Sequence, residues 1–287
     1  GLGGAMTIFS SFTQDFLKEN NLLENEPNKM ISIFGDAELD EGNVYEALLE
    51  GAKHNLKNCW WIIDYNRQSL DGIVFEKLFE KIINLFELMD WNVEILKYGS
   101  KLQKLKQSNS GRKILKWIDD CPNDLFSALT YQGGKDWRKT LLKVFNNDQD
   151  TVSLIKSFND LELNDLMTNL AGHDIESLEL AFSKYINSDK PTCFICYTVK
   201  GFGLPLAGHK DNHSGIMNNN QFNDYKKLMK IREGQEWSKT EGIQLNINEL
   251  NSIIKSNPLS KCNREFSEVI PIEPLKEITF NKFISTQ

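Results

Sequence analysis

An α/β protein with a parallel sheet and helices on both faces, three layers in all, is the architecture expected of this chain. Two observations point there. Strand-like apolar runs at residues 30–34, 59–65, 91–96 and 192–198 alternate with segments of helical periodicity. Two of those runs end in oxygen-bearing residues, Asp36 and Asn66, and sheets of this kind bind ligands beyond the carboxyl ends of their strands.

The elements follow in order. Ile8, Phe9, Phe12, Phe16 and Leu17 recur at helical spacing and predict a helix over residues 5–19. Residues 20–28 are polar, contain a proline and read as a loop. The first strand, Met30-Ile31-Ser32-Ile33-Phe34, ends at Gly35-Asp36, and a helix is expected over 43–55. Cys59-Trp60-Trp61-Ile62-Ile63-Asp64-Tyr65 is the second strand, ending at Asn66. Helical spacing returns over 75–90, before a strand at 91–96. Residues 100–170 are helical and polar and read as an insertion, with a turn at Gln132-Gly133-Gly134-Lys135. A helix over 175–186 and a strand over 192–198 complete the pattern, and Gly201-Phe202-Gly203-Leu204-Pro205 is a loop. The expected domain spans 1–217. Residues 218–287 read as a linker with one or two weak helices and a proline-spaced tail from Pro258. No internal repeat is apparent.

Composition narrows the function. The chain has 287 residues, 40% of them apolar, enough for a substantial core. A net charge of −7 argues against nucleic acid as a partner. No apolar run approaches the roughly 20 residues that span a bilayer, and no secretory signal opens the chain, so a cytoplasmic location is expected. The five cysteines are odd in number and scattered, which argues against a disulfide framework. Cys193 and Cys196 form a C-x-x-C within a strand, where residues three apart face opposite ways and do not easily share a metal.

Asp36 and Asn66 offer a carboxylate and an amide oxygen at two strand ends, and the backbone carbonyl of Gln68 offers a third ligand. A magnesium ion takes about six oxygens, often shared with phosphates. Gly35 is expected to let the chain turn sharply at the strand end.

Thiamine-diphosphate enzymes carry a motif that opens Gly-Asp-Gly and closes in asparagine about thirty residues on. Here Gly35-Asp36-Ala37 precedes Asn66 by 66 − 36 = 30 positions. The run Gly35-Asp36-Ala37-Glu38-Leu39-Asp40-Glu41 resembles the Gly-Asp-Gly-Glu-Met-Asp-Glu of the homodimeric pyruvate dehydrogenase decarboxylase family. Asn66-Arg67-Gln68-Ser69-Leu70-Asp71-Gly72 is similar to its Asn-Leu-Gln-Arg-Leu-Asp-Gly. Trp91-Asn92-Val93, Gly172-His173-Asp174, Thr198-Val199-Lys200-Gly201-Phe202-Gly203 and Gly1-Leu2-Gly3 match further motifs in order. Transketolase shares the domain.

The resemblance covers residues 1–217. It implies a domain that binds thiamine diphosphate and Mg2+, in a 2-oxo acid decarboxylating dehydrogenase component acting on pyruvate. By resemblance, Gly1, Leu2, Gly3, Gly35, Asp36, Ala37, Glu38, Asn66, Gln68, His209 and His213 are cofactor-binding candidates. Asp36, Asn66 and Gln68 are the metal set. Glu41 and His213 are the catalytic candidates, with His213 matching a transketolase histidine better than His209. Ala37 departs from the family's second glycine, a tolerable change unless φ is positive. The family's upstream diphosphate-contacting histidines have no counterpart here. Gly1-Leu2-Gly3-Gly4 reads as the middle of a longer chain, and residue 287 falls near where the pyrimidine-binding domain begins in the family. That domain, with the glutamate that activates the cofactor, is expected from a homodimer partner or a companion chain. The chain alone is expected to be inactive.

Plainer readings stand beside these. Asp36 also suits a helix cap; Asn66 and Gln68 in register favour the metal. Glu41 reads equally as a solvated first-turn carboxylate or as part of the family's proton network at the dimer interface. His173 reads first as a residue that caps or orients a helix start. His209 and Lys210 also suit a plain loop, and Trp60, Trp61 and Trp91 read as core. Two other functions fit the same residues: transketolase-type ketol transfer between sugar phosphates, and a non-catalytic partner-binding module. A dinucleotide-binding domain is disfavoured because no G-x-G-x-x-G follows a strand.

Overall fold

The structure is a computed structural model that describes residues 1–23, 28–66, 68–69, 72–73 and 78–257. The chain forms two compact units, Gly1–Tyr225 and Lys226–Gln287.

The first unit opens with α1 (Leu2–Glu19). It begins three residues earlier than the spacing of its apolar residues suggests. Its glycines are contact points with the sheet: a Cβ on Gly3 would lie 2.8 Å from Ser32 Oγ, and one on Gly4 3.2 Å from the Trp61 ring. β1 (Met30–Gly35), α2 (Gly42–Lys53) and β2 (Cys59–Tyr65) follow. A two-residue antiparallel hairpin, β3 (Gln68–Ser69) with β4 (Gly72–Ile73), comes next, too short to leave a periodic signal. α3 (Leu78–Leu88) then leads to β5 (Asn92–Leu96).

The insertion is six helices: α4 (Ser100–Lys104), α5 (Asn109–Asp120), α6 (Asn123–Gln132), α7 (Gly134–Val144), α8 (Gln149–Ser157) and α9 (Asp160–Met167). Ser108, Asp148 and Asn159 accept backbone N–H groups at the starts of α5, α8 and α9. Gly133, at φ +88°, makes the turn between α6 and α7, a conformation that favours glycine. α10 (Ile175–Tyr185) and β6 (Thr192–Tyr197) complete the layered unit.

The main sheet is parallel throughout, in the order β1-β2-β6-β5. Strand alternation sends Trp61, Ile63, Cys193 and Ile195 to one face. There they meet Ile8 of α1, Val44 and Leu48 of α2, and Phe86 of α3, in a core continuous with Trp137, Leu141 and Ile155 of the insertion. Trp61 is fully buried, 5.2 Å from Phe34 and 5.0 Å from Trp91, and its Nε1–H donates to Thr7 Oγ1 at 2.9 Å. Trp60, Phe194 and Cys196 face the other way, onto Leu178, Ala181 and Phe182 of α10. The two cysteines of the C-x-x-C thus sit in opposite cores. Burial pushes the Cys196 thiol up to about 12 and Cys193 well above its ordinary value, so neither supplies a thiolate.

Beyond β6, α11 (Asn219–Leu228) runs across the boundary between units, and α12 (Ile247–Ser256) lies in the second. In that unit Arg232 makes a two-pronged bond to Glu241, at 2.6 and 3.0 Å. The proline-spaced tail from Pro258 lies outside the described residues. Among the described residues, no helix is long and apolar enough to cross a membrane.

Candidate cofactor site

The parallel register sets the site. Gly35 of β1 lies opposite Asp64 of β2, and Asp64 lies opposite Cys196 of β6. Asp36, Asn66 and Thr198 therefore leave the sheet side by side at its carboxyl end. Asp36 opens a 3₁₀ turn, Asp36–Asp40, and β3 packs against that turn. The hairpin that carries Gln68 thus lies on the same side of the sheet end as the turn that carries Asp36.

The backbone around Asp36 corrects one expectation. Gly35 makes no sharp turn: it is extended, at φ −75° and ψ 157°. A Cβ added to it would touch nothing within 4 Å. The strand end thus borders open space. Ala37 is not among the described residues with positive φ, so its methyl imposes no backbone strain, and its N–H donates to Asp36 Oδ1 at 2.9 Å. Asp36 itself is only 8% exposed.

Gly1 stands at the head of α1, where a Cβ on it would lie 2.8 Å from Val44 Cγ2 of α2. Glu38 Oε1 accepts the Gly35 N–H at 3.0 Å and so holds the end of β1. The Leu2 side chain points outward, 71% exposed. Gly3 faces Ser32 and not the strand ends.

Asn66 lines a cleft of about 10 Å³, with room for roughly one water, together with Phe126, Ser127, Thr130, Thr198, Val199, Lys200 and Gly208. His209 follows on this rim. Its Nδ1 accepts the Asp211 N–H at 3.1 Å and its ring lies 4.5 Å from Tyr131. His213 ends a 3₁₀ turn, Lys210–His213, and is exposed. Among the described contacts neither histidine reaches Asp36.

No three His, Cys, Asp or Glu side chains gather into a metal cluster among the described residues. One carboxylate, one amide and one backbone carbonyl would fall outside such a cluster, and magnesium is usually held by one or two carboxylates with phosphate oxygens and waters completing its shell. The buried carboxylate, the amide after the neighbouring strand and the open space at Gly35 fit the cofactor.

Sequence reasoning passed over Asp64 here and read His173 as a residue that caps or orients a helix start, a place that Asp174 takes. Asp64 accepts the Thr198 hydroxyl, joining the ends of β2 and β6. His173 Nε2 accepts the Val199 N–H at 2.8 Å, and its ring stacks on Phe202. Only the match of Gly172-His173-Asp174 to a family motif signalled this position. A Cβ on Gly172 would lie 2.7 Å from the Tyr197 carbonyl, so this glycine lets the turn pass against β6.

Comparison with known proteins agrees with these motifs. The chain is 26% identical over 215 residues to the pyruvate dehydrogenase E1 component of Buchnera aphidicola subsp. Schizaphis graminum, covering 74% of this chain and 24% of that protein. The E1 components of Escherichia coli K12 and Haemophilus influenzae are 25% and 28% identical over the same 74% share of this chain and 24% of theirs. The chain is similar in sequence to pyruvate dehydrogenase E1 components. It spans about a quarter of the length of the E1 components it matches. No family model matches. Among solved structures, the transketolase from Campylobacter jejuni superposes with a TM-score of 0.46 at 19% identity, over 79% of this chain and 24% of that one.

Proposed function

We propose that this chain is the thiamine-diphosphate- and Mg2+-binding part of a 2-oxo acid decarboxylating dehydrogenase component, that pyruvate is the oxo acid, and that it acts in the cytoplasm. The adjacency of β1 and β2, from whose ends Asp36 and Asn66 follow, with β3 packed against the turn after β1, supports this reading most, within a chain similar to E1 components.

In this reading Asp36, the Asn66 side-chain oxygen and the Gln68 carbonyl would hold the metal. The Gly35–Ala37 backbone would border the phosphates, and Glu38 braces that backbone through Gly35. His209 and His213, on the loop after β6, would contribute to binding the diphosphate. Bound there, the cofactor supplies a nucleophilic thiazolium carbon and an electron sink. The chain's own residues orient it and exclude water from one side. Glu41, exposed at the edge of the site, transmits a proton between paired active sites.

The cleft beside Asn66 is too small to enclose a cofactor, so a second domain must supply the other wall. A homodimer partner or a companion chain brings that pyrimidine-binding domain. The exposed face of α1, where Leu2, Met6, Phe9 and Phe16 follow at spacings of four, three and seven, supports such a partner.

Isothermal calorimetry with Mg2+ and thiamine diphosphate tests the reading. Binding by the wild-type chain, lost in Asp36→Ala and in Asn66→Ala, is the expected outcome; equal binding in all three sinks the metal assignment. On enzyme reconstituted with the second domain, turnover of pyruvate and not of xylulose 5-phosphate is expected.

A further inference from the structure

The loop after β6 is folded back on one acceptor, the Lys200 carbonyl. That oxygen takes the Gly208 N–H at 3.1 Å and the Asn212 Nδ2–H at 2.8 Å. Gly201, Gly203 and Gly208 all have positive φ, +72°, +79° and +75°, which lets so short a segment reverse its course. At its far end the segment is seated on α6, where a Cβ on Gly208 would lie 2.8 Å from Ser127 O.

His173 holds the chain on both sides of that carbonyl. On one side its Nε2 accepts the Val199 N–H at 2.8 Å. On the other its ring lies face to face with Phe202, centroids 3.9 Å apart and planes 12° from parallel. We propose that His173 is a positioning residue: by gripping Val199 and Phe202 it fixes the Lys200 carbonyl, and so the fold of the segment that carries His209 and His213.

Three physical features support the assignment. Phe202 is 51% exposed, so its stack on His173 is not forced by core packing around it. An Nε2 that accepts a hydrogen bond requires the neutral ring with its proton on Nδ1. Burial holds the His173 pKa below its ordinary value and so favours that neutral form, with Asp64 across on β2 pulling the other way. His173 itself is braced from below, because Asp174 is anchored by Ser100 and by the start of α10. The grip therefore transmits the position of a rigid helix start to a glycine-rich loop.

The inference rests on the cofactor reading only in giving the loop's histidines their importance, and its test is independent of any cofactor. Amide hydrogen exchange on the full chain reads the Val199 and Gly208 N–H groups directly. In His173→Ala both are expected to exchange at least tenfold faster, with α5, α7 and the sheet unchanged. His173→Gln, which retains an acceptor, should return Val199 toward wild-type protection; His173→Phe, which retains only a stacking ring, should not. Phe202→Ala changes an exposed side chain and should speed Gly208 while leaving the fold intact. Unchanged exchange at Gly208 in both alanine variants overturns the proposal, as does acceleration spread evenly over sheet and insertion. If the wild-type chain fails to bind Mg2+ and thiamine diphosphate, the cofactor reading falls, and the exchange data still decide the role of His173.

Discussion

Asp36 and Asp174 are both buried carboxylates near the carboxyl end of the sheet, and their surroundings give them different work. Burial alone would raise the Asp174 pKa. The Ser100 hydroxyl at 2.7 Å, the Ser177 N–H at 3.0 Å and the Ser100 N–H at 2.8 Å more than offset it and hold the carboxyl well below its usual range. Because the native pKa is depressed, the unfolded chain takes up protons first as pH falls. Asp174 thus contributes stability that is fully present above about pH 4, the ordinary aspartate range, and is lost as pH drops below it. Asp174→Asn should lower stability at pH 7 by on the order of 2 kcal/mol and flatten its decline between about pH 4 and pH 2. Urea titrations across that range check it, and an unchanged slope would remove Asp174 from the account. The placement of Asp36 and Asn66 at the ends of neighbouring strands, by contrast, was legible from sequence, because each closes an apolar strand-like run. His173 and Asp64 were not, because their roles depend on which loop lies over them, and no local pattern encodes that.

Parallel strands and their helices were legible because apolar runs and helical spacing are local signals. The start of α1 was not: glycines that serve close packing look, in sequence, like glycines that break a helix. The same holds at Gly134, the first residue of α7, where a Cβ would fall 1.7 Å from the Asp160 carbonyl and force α7 away from α9. Gly134→Ala should cost at least about 2 kcal/mol, well beyond the change in helix propensity, which favours alanine. A melting temperature equal to wild type would show that the two helices separate freely. Trp61→Ala, which empties the aromatic cluster between α1, α3 and the sheet, should cost about 3–5 kcal/mol by the same measurement. The polar look of the insertion concealed a core continuous with that of the sheet, because its apolar residues are spread thinly over six helices.

The chain spans about a quarter of the length of the E1 components it matches, and its surface carries an exposed apolar seam. Leu2, Met6, Phe9 and Phe16 form an exposed seam on α1, and Ile33 of the edge strand β1 is 71% exposed. At micromolar concentration the chain should self-associate, and Phe9→Glu should reduce that association in sedimentation without lowering the melting temperature. Full cofactor affinity in a monodisperse monomer would contradict the need for a second domain. The most direct evidence comes from Mn2+ substituted for Mg2+ in the presence of thiamine diphosphate, followed through paramagnetic broadening of backbone amide resonances. The account predicts that residues 35–37, 66 and 68 broaden first, together and at substoichiometric metal. Broadening centred on another part of the surface, with those five amides unaffected, would contradict it.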